Sequence, residues 1–155
     1  MSGETTLPAG LPTERWIRLE RSLRAPVDRV FRVWTDPEEL ARWLPERLEG
    51  SLAPASRSVL VWRRRRIPWD VVAVEPNRRF VVRIPWLPDE SMFTTLTVRL
   101  EQEGYGTLLH LEDGPFAIDR PDAFEVWVEA LEAWVEALAG LRAFLDFSVD
   151  LRPRE

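Results

Sequence analysis

One histidine, a run of arginines and a scatter of carboxylates are the side chains here that could do chemistry. His110 is the sole histidine among 155 residues. Its imidazole is the group whose ordinary pKa lies near neutrality, which makes it the candidate general base. Strand-like alternation around it turns Leu109 and Leu111 to one face and His110 to the other, the convex and wet one. A solvated histidine is the ordinary alternative there. Glu112 shares its phase, but one His and one Glu two residues apart do not assemble a metal site, so no metal and no cofactor are expected.

The composition removes most other chemistry. There is no cysteine and every basic residue is arginine, which excludes disulfides, thiolate nucleophiles, thiolate metal sites and Schiff-base lysines. No glycine-rich phosphate loop, Gly-x-Ser-x-Gly elbow or zinc helix is present. An enzyme built here would rely on carboxylates, His110, Tyr105 and a few serines, steering acid/base chemistry of cyclase or hydrolase type in an apolar pocket. Arg21 and Arg63 stand on or beside apolar strand faces. A buried arginine needs an acid or an anionic ligand, so both are candidate anion contacts, the alternative being that the strand ends there and the guanidinium reaches water.

A formal net charge of −5 argues against nucleic acid as a partner. Charge is nevertheless polarised: Arg57 and Arg63 to Arg66 form a basic patch, while Asp119 to Asp146 carries seven acids against Arg120 and Arg142. Two solvated faces of opposite sign are expected, with contact between molecules as a further use. No apolar run approaches the ~18 residues that span a bilayer, and Met1 to Thr13 lacks a signal-peptide pattern, so a cytoplasmic protein without membrane insertion is expected. Scarce Asn and Gln and the absence of lysine suit a thermophilic or GC-rich host.

The elements that must position these groups follow from periodicity. Residues 1–13 read as a flexible arm and 14–150 as a single domain. From Trp16, alternation with Ile17, Leu19 and Leu23 on one face predicts a strand, Arg21 being its odd member. Val27, Val30, Phe31 and Trp34 at helical spacing after Pro26 predict a helix. Asp36-Pro37-Glu38-Glu39 predicts a capped second helix that Pro45 stops. Strands follow at Val59 to Trp62, Trp69 to Glu75, Arg79 to Ile84, Phe93 to Glu101 and Thr107 to Asp113, with a further short one around Arg47 to Leu52. Tight turns at Glu75 to Arg78 and Glu103 to Gly106 make the array an antiparallel meander. Asp119 to Asp146 is one long helix. Glu125, Glu129, Glu132 and Glu136 mark its wet stripe, and Phe124, Trp127, Leu131, Trp134, Leu138, Leu141 and Leu145 its dry one, widened by Val128 and Val135.

That order of elements, with several local stretches, resembles a known superfamily. Leu23-Arg24-Ala25-Pro26-Val27-Asp28-Arg29-Val30-Phe31, then Trp34 to Leu44, is similar to the opening of the START-like (SRPBCC) superfamily. The branch it resembles is the one related to activators of the ninety-kilodalton heat-shock chaperone ATPase. Val71 to Phe80 is similar to its middle strand pair, Gly106 to Leu111 to its last strand, and Trp134 to Leu145 to its closing helix. Two departures stand out: Ala133 precedes the helix tryptophan where a glycine is usual, and Pro85-Trp86-Leu87-Pro88 replaces a plainer loop. The resemblance implies an α+β helix-grip fold: a curved antiparallel sheet of six to seven strands around a long C-terminal helix, with two short helices between the first two strands.

It also implies the leading expectation, a non-catalytic binder of a small hydrophobic or amphipathic molecule between sheet and helix. The strand residues expected to line the cavity are Leu19, Phe80, Val82, Phe93, Leu96, Val98, Leu109 and Leu111. Phe124, Trp127, Leu131 and Trp134 are expected opposite them on the helix. Eight tryptophans either line such a cavity or fill it; Trp69, Trp86, Trp127 and Trp134 are the expected liners. A filled interior would favour the second expectation, a chaperone-linked or stress-related interaction module using the basic edge or the acidic stripe. An exposed Trp16 or Trp86 could support a homodimer.

Overall fold

The computed structural model describes residues 13–86, 90–119 and 121–153. The expected arm lies outside these residues apart from Thr13, whose carbonyl accepts from the Ile118 N–H. Leu87 and Pro88 lie outside them too. The fold is α+β. Strand β1 (Glu14–Leu23) leads into α1 (Val27–Thr35) and α2 (Pro37–Leu40). Then come β2 (Arg47–Gly50), β3 (Arg57–Trp62), β4 (Arg65–Glu75), β5 (Arg79–Pro85), β6 (Phe93–Glu103) and β7 (Gly106–Ala117), and α3 (Pro121–Phe147) closes the chain. The seven strands form one curved, open antiparallel sheet in the order β1-β7-β6-β5-β4-β3-β2.

Local chemistry sets the short elements. Pro26 is the N-cap of α1, one place earlier than its ring geometry suggests. The Asp36 carboxylate accepts from the N–H groups of Glu38 and Glu39, and Pro37 opens α2. These contacts satisfy donors that a helix start otherwise leaves bare. At the β1–β7 pairing the register slips between Arg15 and Ile17. There a Cβ on Gly114 would lie 2.7 Å from the Trp16 ring, so Trp16 packs on its own chain.

Alternation puts Ile17, Leu60, Trp69, Val71, Phe80, Val82, Leu96, Val98, Leu109 and Leu111 in the core. Helix α3 answers with Ala123, Ala130, Ala133, Trp134, Ala137, Leu138 and Leu141. The buried face of α3 is therefore mainly small side chains with one large ring, which lets the helix approach the sheet closely. Two large side chains expected on its dry stripe lie elsewhere: Phe124 is 47% exposed and Val135 is 42% exposed. A hydrophobic count cannot see alanine, whose burial is decided by the partner surface.

The opposite charges meet within the molecule, which corrects the expectation of two separate solvated faces. Arg63 pairs with Glu136 at 2.9 Å and Arg65 with Glu129 at 2.8 Å, joining the β3–β4 hairpin to α3. Arg66 pairs with Glu49, and Arg57 with Asp70 and Glu90. Arg63 and Arg64 form the hairpin turn itself, both with positive φ (53° and 66°), a backbone that Asn-Gly adopts at lower cost.

Candidate functional site

The middle of the sandwich between sheet and helix is filled by rings. Trp134 lies 4.9 Å from Trp62 and 6.2 Å from Trp34, and Trp34 meets Trp43 edge-on at 4.8 Å. Trp69 packs on Phe80, and Trp86 on Phe116. Space persists at the margin, where the β3–β4 hairpin, the end of β5 and the N-terminal half of α3 converge. A cleft of about 350 Å³ opens there. Trp62, Ile67, Trp86, Val126, Ala130 and Ala133 provide its apolar lining, with Arg63, Arg65, Glu129 and Glu132 as a charged rim. The alanines make room: a larger side chain at either position would occupy the cleft. Such a mixture, an apolar body with charges at the mouth, suits an amphipathic guest.

Behind the cleft runs a buried polar chain centred on a residue that sequence reasoning did not single out. The Trp86 Nε1–H donates to Thr94 Oγ1 at 2.7 Å, the Thr94 hydroxyl donates to Asp113 Oδ1 at 2.5 Å, and the Trp134 Nε1–H donates to Asp113 Oδ2 at 2.9 Å. Thr94 and Asp113 are both buried. Burial pushes the Asp113 carboxyl up to about 6, outweighing the two hydrogen bonds that favour its charged form. Asp113 shares the phase of Leu109 and Leu111, and that alternation was the one signal that could have found it: an acid at an apolar position of a strand.

The remaining expected residues divide between the two faces. Phe80, Val82, Leu96, Val98, Leu109, Leu111 and Trp134 are buried in the core, and Leu19, Trp127 and Leu131 pack against it partly buried. None of them is among the residues that line the cleft. Phe93 is on the outer face, 49% exposed, beneath the Arg83 guanidinium at 3.9 Å. Its odd position in β6 separates it from Leu96 and Val98, and the same alternation corrects its place among the inward residues. Arg21 lies half-buried on the inward phase of β1 and donates to the Glu20 carbonyl. The Arg63 guanidinium is engaged by Glu136 at the rim of the cleft.

His110 is outward-facing, as its phase predicts. Its Nδ1 lies 3.0 Å from Glu20 and its Nε2 3.4 Å from Glu101, carboxylates of the flanking strands β1 and β6. The Arg99 guanidinium, and then His110, hold the Glu101 carboxyl below the usual range. Glu112 pairs with Arg18. These outer-face groups are separated from the cleft by the thickness of the sheet.

Comparison with known proteins agrees with this architecture. The family model described as activator of Hsp90 ATPase homolog 1-like protein matches residues 24–146. Among solved structures, CalU16 from Micromonospora echinospora is 28% identical, with a TM-score of 0.70 over 93% of this chain and 83% of that one. Protein MLL2253 from Mesorhizobium loti is 25% identical, with a TM-score of 0.74 over 88% of this chain and all of that one. The Aha1 dimer from Colwellia psychrerythraea has the same fold at 15% identity, with a TM-score of 0.75 over 86% and 97% of the two chains. No curated protein matches by sequence.

Proposed function

This chain belongs to the activator of Hsp90 ATPase homolog 1-like family, within the START-like superfamily, and from that premise we propose that it binds a small amphipathic molecule in the marginal cleft. One observation carries the reading: a cleft of about 350 Å³, apolar on one side and charged at its rim, persists between sheet and helix in a fold whose centre is otherwise packed with rings. The aromatic walls Trp62 and Trp86 would take the apolar body, and the Arg63/Glu136 and Arg65/Glu129 pairs frame the entrance. Each exposed pair contributes only ~0–1 kcal/mol, so a polar head group can compete for either guanidinium at little cost.

The test is titration with 1-anilinonaphthalene-8-sulfonate, an aromatic body with one anionic group, followed by energy transfer from tryptophan. Saturable binding of one molecule per chain is expected. Ala130→Leu should weaken it at least tenfold while costing ~1–3 kcal/mol of stability from overpacking. Unchanged affinity in a folded Ala130→Leu chain would place the dye elsewhere and remove the cleft from the reading.

A second reading, an interaction module, is favoured by the filled centre of the sandwich. Native mass spectrometry separates the two: a retained small molecule supports the first, and a ligand-free chain that assembles with itself supports the second.

A further inference from the structure

Two buried polar side chains on neighbouring strands have no hydrogen-bond partner among the described residues. Ser58 and Trp69 are direct cross-strand partners on β3 and β4, and both are buried, at 1% and 0% exposure. Neither Ser58 Oγ nor Trp69 Nε1 has a hydrogen-bond partner among the described residues. Paired side chains on one face have Cβ atoms roughly 4.5–5.5 Å apart, which brings both donors to the same stretch of the sheet's inner face. Buried polar groups in folded proteins are paired in the great majority of cases, and leaving one unpaired costs about 1–3 kcal/mol. Trp34 Nε1, Trp127 Nε1 and His110 Nε2 also lack a hydrogen-bond partner among the described residues, but only Ser58 and Trp69 occupy directly paired positions on neighbouring strands, where one outside partner would meet both.

Their place in the sheet connects them to the cleft. Leu60 and Ile67 are the next inward pair along the same two strands, and Ile67 lines the cleft together with Trp86. The Ser58–Trp69 pair thus lies two residues beyond Ile67 on the side away from the hairpin turn, about 7 Å along the strand direction. Charge at this level faces away: Arg57 and Asp70, the adjoining cross-strand pair, alternate to the outer face and bind each other in bidentate fashion at 2.6 and 2.9 Å. The inner pair consequently offers two neutral donors and no cation. This chemistry accepts a carbonyl, hydroxyl or ether oxygen, gains nothing from an apolar end, and gives no counter-charge to a buried carboxylate.

We propose that Ser58 and Trp69 form the inner subsite of the ligand cleft, receiving a neutral acceptor oxygen on the buried end of an elongated apolar molecule. This rests on the cleft reading and adds the ligand's chemistry to it. The oxygen could instead belong to an internal water, and a matched pair of probes distinguishes the two sources.

The experiment compares 2-acetylnaphthalene with 2-ethylnaphthalene, which share ring and bulk and differ in the ketone oxygen. The ketone is expected to bind about 5–30-fold more tightly, the range of one to two net hydrogen bonds. In Ser58→Ala that preference should fall at least threefold, with affinity for the hydrocarbon unchanged. Trp69→Phe is a second, independent variant. The carbonyl stretch of the bound ketone should lie at lower wavenumber in the wild-type protein and move up in Ser58→Ala, a signature that packing alone does not produce. Equal binding of both probes, or a ketone preference that survives both substitutions, overturns the subsite and leaves the cleft intact. If neither probe binds while 1-anilinonaphthalene-8-sulfonate does, the subsite is overturned and the cleft stands; if none of the three binds, the cleft reading falls and the subsite with it.

Discussion

Replacing Asp113 by asparagine should reverse sign with pH. In the folded chain its carboxyl titrates near 6 against an ordinary value of 3.8, because burial disfavours the charge. An acid raised in this way binds its proton more tightly in the folded chain than in the unfolded one. Between about pH 4 and 6 the folded state holds more protons, so this group's contribution to stability falls as pH rises through that window and is at its lowest above about pH 7. A gap of about two pH units corresponds to roughly 3 kcal/mol.

Asparagine does not titrate. It retains one oxygen for the Trp134 N–H but turns an amide toward Thr94, whose hydroxyl proton then loses its acceptor at a cost of about 1 kcal/mol. Because the unfolded carboxyl is already more than half ionised at pH 4, the wild-type chain should therefore be about 0.5 kcal/mol more stable than Asp113→Asn at pH 4, and about 2 kcal/mol less stable at pH 7.5. Urea unfolding followed by tryptophan fluorescence at four pH values measures the difference. Taking the difference between the two chains cancels the acids held low by arginines, Glu49 and Asp70 among them, whose stabilisation is lost as pH falls. A gap between the chains that stays constant within about 0.5 kcal/mol from pH 4 to 7.5 would refute the assignment of Asp113 as a carboxyl desolvated in the fold.

Other consequences are simpler to check. Trp134→Phe removes one of the two donors to Asp113 along with core volume, and should cost about 2–4 kcal/mol in urea while raising the Asp113 titration above 6 in carbon-13 carboxyl spectra. Arg64→Gly relieves a positive φ at a residue with no ion pair among those described, and should raise stability by about 0.5–1 kcal/mol by thermal unfolding. Gly114→Ala drives a methyl group against the Trp16 ring and should cost about 1–3 kcal/mol, visible as a change in Trp16 fluorescence. His110→Ala should leave probe affinity in the cleft unchanged, since its partners Glu20 and Glu101 are on the outer face; a loss of binding would mean that the outer face communicates with the cleft.

Much of the architecture was legible because it is written locally. Alternation of apolar residues marks strands, Asp36-Pro37 marks a helix start, and Gly104 marks a turn; each signal needs only a few neighbouring residues. The phase of His110 likewise put it on the outer face before any tertiary contact was known. The site was less legible. Phe93 and Phe124 were placed inside by their hydrophobicity, yet the pleat and the helix's rotation against the sheet leave both about half exposed. Ala130 and Ala133 create the cleft by being small, a property with meaning only once Trp62, Ile67 and Trp86 stand across from them.

By itself, the sequence determined the order of elements, their periodicities, the family and the short list of groups able to do chemistry, since these depend on residue type and on contacts between near neighbours. Tertiary structure alone decided that tryptophans from α1, β3, β4 and α3 fill the centre, that Asp113 is desolvated between Thr94 and Trp134, and that arginines of one hairpin close on glutamates of a helix some seventy residues away. Those outcomes depend on distances between segments remote in the chain, and on how much water the packing of those segments leaves behind, neither of which a linear pattern encodes.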